Sequence, residues 1–109
     1  MIRINIVRDK KGFIWEFAVE GHSGFSDPGS DIICSAVSAV AYTAVGALDE
    51  LADIRGHVEK PGFMKCSIPV GIDPDRESRA QVILEAMTVG FKQIEREYEE
   101  YVSVFEEEV

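Results

Sequence analysis

The chain has 109 residues, with 20 Asp and Glu against 11 Lys and Arg and a formal net charge of −9. That length allows one core without disulfides or metals, so a single domain over residues 1–109 is expected, and the acidic balance disfavours direct binding to phosphate backbones. No apolar run is expected to reach the roughly 20 residues that span a bilayer, and MIRINIVRDKKGF reads as a strand rather than a secretory leader, so a cytoplasmic place without membrane attachment is expected.

Ile2, Ile4 and Ile6 alternate with Arg3 and Asn5, and Phe13, Trp15, Phe17 and Val19 share one parity further on. Period-two patterning of this kind predicts half-buried strands over residues 2–8 and 13–20, joined as a hairpin through Asp9-Lys10-Lys11-Gly12. A helix is predicted over 31–55, because Ile33, Val37, Val40, Ala41, Val45, Leu48 and Leu51 recur at three- and four-residue steps among many alanines. Ser30 or Asp31 can cap its start, and Gly56 is the expected stop. Residues 57–60 and 63–70 read as two strands around Pro61-Gly62.

Asp73-Pro74 opens a second helix, predicted to run to Tyr101 with Ala80, Ile83, Met87, Phe91, Ile94, Tyr98 and Tyr101 as its apolar stripe. The order ββαββα predicts an α+β two-layer sandwich, an antiparallel or mixed four-stranded sheet with two helices on one face. The other face is left for a dimer contact. The acidic segment EREYEEYVSVFEEEV suits a basic partner, although acids on a surface also serve solubility alone.

The segment with chemistry is GHSGFSDPGSDIICSAVSAV, residues 21–40. His22 follows the second strand, Cys34 sits in the first turn of the first helix, and Gly21, Gly24 and Gly29 let the intervening loop bend back. A thiol at a helix N-terminus lies among unpaired N–H groups, in a field that favours thiolate. Thiolate with a histidine able to protonate a leaving amine is the minimum apparatus of a cysteine hydrolase, and the N–H groups of residues 31–35 are candidate oxyanion donors. Asp31 is placed either to cap the helix or to orient His22.

The plainer readings are a buried structural thiol and a solvated histidine. A metal site from His22, Asp27, Asp31 and Cys34 lacks the short ligand spacing of structural zinc, so no metal is expected. Cys66 shares parity with Met64 and Ile68 and reads as core, and both thiols are expected free in a reducing compartment. Trp15 also reads as core, His57 as a helix cap or a solvent-facing residue, and Ser38 as a serine one turn beyond Cys34 that can bond back to a helix carbonyl.

Gly21-His22, then Asp31-Ile32-Ile33-Cys34, then Ala36-Val37-Ser38 together resemble the signature of the ribosomal-processing cysteine protease family, Prp. The departures are mild: Ser23 stands where alanine is usual, Ile33 for valine and Ser35 for alanine. The resemblance implies a homodimeric enzyme without cofactor or metal that trims an N-terminal extension from a basic large-subunit ribosomal protein precursor, cutting after an apolar sequence with aromatics. It implies Cys34 as nucleophile, His22 as general base and acid, Asp31 and Ser38 as supporting residues, and a mobile loop over 21–30. The rival expectation is a non-catalytic assembly factor that binds such a precursor through its acidic surface.

Overall fold

The computed structural model describes residues 1–26 and 31–109. The elements are β1 (Ile2–Arg8), β2 (Ile14–Glu20), α1 (Ile32–Ala52), β3 (His57–Lys60), β4 (Phe63–Ser67), α2 (Pro74–Glu97) and β5 (Val102–Glu108). One sheet holds all five strands in the order β3-β4-β2-β1-β5. Its pairs are antiparallel except β1 with β5, which run parallel from Ile2↔Val102 to Arg8↔Glu108. Side chains from the sheet and from both helices form one core cluster. The α+β class and the mixed sheet agree with expectation, and the four-stranded ββαββα order is corrected to five strands with a closing β.

The missed strand has a local cause. α2 ends at Glu97, and the backbone of Tyr98 leaves helical geometry with φ −132° and ψ 48°. The N–H groups of Tyr101 and Val102 both donate to the Tyr98 carbonyl, a tight turn that delivers Val102 to the edge of β1. Val102 is buried, Val104 half-buried, and Glu106 and Glu107 have partners within the fold. Glu106 meets Arg8 at 2.9 Å and Lys92 at 2.6 Å, and Glu107 accepts from Asn5 at 2.9 Å. Part of what reads as an acidic tail is therefore the edge of a sheet, with Glu106 held by two cations.

Three further expectations change. Trp15 and Phe13 are exposed, whereas Ile14 and Phe17 are fully buried. The register slips between Val7 and Arg8, which pair with Glu16 and Ile14, so Trp15 is an extra residue that reverses the parity of the strand. β4 stops at Ser67 rather than residue 70, since Pro69 has no N–H for a ladder and Val70 stands fully in solvent. Of the two readings of His57, the helix cap is excluded and the solvent-facing one holds: it is the first, exposed residue of the expected strand β3.

α1 presents Ile33, Val37, Ala41, Ala44, Leu48 and Ala52 to the core. Leu51, expected in that stripe, is exposed. By length and composition α1 could cross a membrane, contrary to the sequence expectation, but its apolar face is spent on the sheet and on α2. Its end is set by Asp53 in the left-handed region, φ 52°, and not by Gly56. α2 supplies what a glycine cap would otherwise give: Arg76 donates to the carbonyls of Ala52 and Asp53, and Arg79 to that of Leu51. Guanidinium groups at the negative end of a helix satisfy its last acceptors and oppose its dipole. Arg76→Ala should lower the unfolding free energy by about 1–2 kcal/mol, read as a lower urea midpoint at unchanged slope; an unchanged midpoint would show these bonds to be replaceable by water.

Candidate active site

β2 ends at a crowded crossing. Gly21 has φ 93°, its N–H donates to the Gly62 carbonyl at 2.9 Å, and a Cβ there would collide with the Met1 carbonyl oxygen. Only glycine fits both conditions. The next residue is held in turn: the backbone nitrogen of Met1 donates to the His22 carbonyl at 2.6 Å. The exposed imidazole rests on Gly62, whose Cβ position would lie 3.1 Å from His22 Nε2. The β3–β4 turn is thus a floor for the ring, and a side chain at residue 62 would lift it.

The start of α1 is fixed by a buried carboxylate. Asp31 is 3% exposed, and its Oδ1 accepts from the N–H groups of Ile33 and Cys34, both at 3.0 Å. Its Oδ2 accepts from the hydroxyl of Ser23, itself buried, whose oxygen also accepts from Phe25 N at 3.0 Å. Of the two roles left open by the sequence, Asp31 takes the cap. Ser23, read only as a departure from the family pattern, ties the His22 loop to the Cys34 helix. The Ser23 hydroxyl, and after it the N–H of Cys34, hold the Asp31 carboxyl down at about 2.

Cys34 is half-buried and touches the margin of the core; Cys66 is buried, and both are free thiols. Burial pushes the Cys66 thiol up to about 11, as befits a packing residue. His22 and Cys34 line one cavity of about 350 Å³, with Asp31, Ser38, Tyr42 and Glu59 also on its walls. Ser38 is exposed to this cavity, and among the described residues its hydroxyl takes no partner, so the expected bond back to a helix carbonyl is not made. The expectation that residues 31–35 offer oxyanion donors is narrowed, because the N–H groups of Ile33, Cys34 and Ser35 are already engaged by Asp31. Gly29, Ser30 and Asp27, named as loop, cap and metal candidates, lie outside the described residues. Among the described residues no three His, Cys, Asp or Glu side chains converge.

The sequence profile of the family described as cysteine protease Prp matches residues 1–103. A Bacillus subtilis protein named ribosomal processing cysteine protease Prp is 33% identical over 107 residues, covering 95% of this chain and 96% of that protein. A Staphylococcus aureus protein of the same name is 30% identical over 106 residues, covering 94% and 95%. Among solved structures, a Streptococcus mutans protein superposes with a TM-score of 0.82 at 28% identity, covering 100% of this chain and 96% of its own. The essential ribosomal processing protease Prp of S. aureus, solved with a covalently linked product peptide, superposes with a TM-score of 0.82 at 25% identity, covering 98% and 100%.

The lowered Asp31 carboxyl fixes the sign of a pH effect. A carboxylate whose folded value lies near 2, below the ordinary 3.8, stabilises the fold above about pH 4 and loses that contribution as pH falls toward 2. An Asp31→Asn variant should therefore show a shallower fall in Tm between pH 4 and pH 2 than the parent chain. Parallel curves for the two proteins would remove Asp31 from the account of acid stability.

Proposed function

Because the chain belongs to the Prp family of cysteine proteases, we propose that it removes the N-terminal extension of a basic bacterial large-subunit ribosomal protein during ribosome assembly, with Cys34 as nucleophile and His22 as general base and acid. The observation that carries the reading is that a strand end and a helix start bring these two side chains onto the walls of one cavity, with the sulfur only half-buried. In this mechanism Cys34 Sγ attacks the scissile carbonyl carbon. A C–S bond forms, and as the C–N bond breaks the imidazolium of His22 gives its proton to the departing amine. The resulting thioester is opened by water, from which His22 takes a proton, and the acid is released with the thiol restored.

The residues around the pair have distinct tasks. Asp31 fixes the helix start that carries the sulfur, Gly21 and Gly62 fix the ring, and the Ser38 hydroxyl faces the cavity one turn beyond Cys34. The covalently linked product peptide in the S. aureus relative supports a covalent route. The names of the relatives support a ribosomal substrate, and a net charge of −9 complements a basic one. The protein acts in the cytoplasm as a homodimer, without metal or cofactor and without contact to nucleic acid or membrane.

Incubation with a peptide copying the precursor N-terminus, followed by mass analysis, tests the reading. Wild type should give two fragments, Cys34→Ala none, and His22→Ala a rate about 10²–10⁴-fold lower. Cleavage by Cys34→Ala at the parental rate would overturn the nucleophile. An intact peptide beside folded wild type with a sluggish thiol would favour the non-catalytic assembly factor.

A further inference from the structure

The cavity does not end at the catalytic pair. Cys34, Ser38 and Tyr42 lie four residues apart on α1 and form one stripe along its wall. From Cys34 to Tyr42 the helix rises by about 12 Å, the reach of three or four residues of extended peptide at about 3.3 Å each. At that far end the wall is completed by Glu59 of β3, paired in register with the cavity-lining Met64 of β4. The Tyr42 hydroxyl donates to Glu59 Oε2, and His57 Nε2 lies 3.5 Å from Oε1.

The Glu59 carboxylate stays open to solvent on the cavity wall. It keeps 44% side-chain exposure although two groups orient it, and Tyr42 is 50% exposed beside it. The hydrogen bond from Tyr42, and after it the contact with His57, keep the Glu59 carboxyl below its ordinary range, so it carries charge at neutral pH. Lys60, the neighbouring cation on the wall, has its ammonium 5.5 Å from the Phe63 ring centroid, and among the described residues it forms no ion pair with Glu59. β3 is also the edge strand, and all four of its residues are exposed, so an extended peptide can approach from that side.

We propose that Glu59, oriented by Tyr42, is a specificity-determining residue: its carboxylate accepts a hydrogen bond from an N–H-bearing side chain that the substrate carries three or four residues from the scissile bond. The chemistry is that of a carboxamide, ammonium or guanidinium group. The inference rests on the protease reading and deepens it, by assigning the distal end of the same cavity.

The test is a set of precursor peptides in which each position up to five residues on either side of the cut is replaced in turn by Gln, Lys, Arg, Leu or Glu. Wild type should prefer Gln, Lys or Arg over Leu at one position three or four residues from the bond; the three arms say which N–H donor is favoured. In Glu59→Gln the ratio of kcat/KM for that peptide to its Leu counterpart should fall about tenfold. Glu59→Lys should turn the preference at that position toward Glu, a gain that misfolding cannot mimic. Tyr42→Phe should lower the ratio in the same direction by a smaller factor. If wild type and all three variants share one preference profile, the proposal fails while the protease reading stands. If wild type cleaves none of the peptides, both fail together.

Discussion

Asp31 spends its carboxylate on two segments at once. One oxygen holds the N–H groups of Ile33 and Cys34, and the other takes the hydroxyl of Ser23. The first set of bonds starts α1 at a fixed residue, which aims the thiol; the second draws the strand end that carries His22 toward that same start. Burying a carboxylate is costly unless its lone pairs are filled, and here several donors fill them. The proposed catalytic pair is therefore positioned by a buried carboxylate, and the two crossings at Gly21 and Gly62 complete the placement by holding the ring from below.

The sheet gives this clamp something rigid to stand on. β1 and β2 carry the loop, and β1 is locked on its far side by β5, where Arg8 reaches both Glu85 of α2 and Glu106. Acidic side chains that look free in the sequence are thus used to join a helix to two strands. Ion pairing leaves the net charge of −9 unchanged, and the more specific charge is one glutamate at the distal end of the cavity. On the proposed reading, affinity for a basic protein and selection of its cleavage site depend on different carboxylates.

Most of the architecture can be read in the residues because its signals are local. Ile2, Ile4 and Ile6 alternate cleanly, and the first helix has its three- and four-residue apolar steps. Signals fail where two periodicities coincide. In FIWEF both parities carry an apolar residue, so the extra residue at Trp15 is invisible until Val7 and Arg8 are seen pairing on either side of it. In YEEYVSVFEEE the helical stripe through Tyr98 and Tyr101 runs straight into the strand alternation of Val102 and Val104, and the glutamates hide the strand because their partners are distant in sequence. The site divides in the same way. His22, Asp31 and Cys34 lie within one short segment and are legible as a set, whereas Gly62, Tyr42 and Glu59 reach it through tertiary packing. Ser23 was in view, but nothing local says that its hydroxyl faces Asp31.

The central claim is spatial: the imidazole of residue 22 and the sulfur of residue 34 share one small space in the folded chain. A short bifunctional alkylating reagent such as dibromoacetone reports on it directly, since the thiol reacts first and only a ring within reach can close the bridge. Peptide mapping of the treated, folded protein should recover one cross-linked species joining the peptides that contain His22 and Cys34, lost when the chain is unfolded before treatment. Recovery of Cys34 carrying the reagent alone, with the His22 peptide unmodified, would contradict the account.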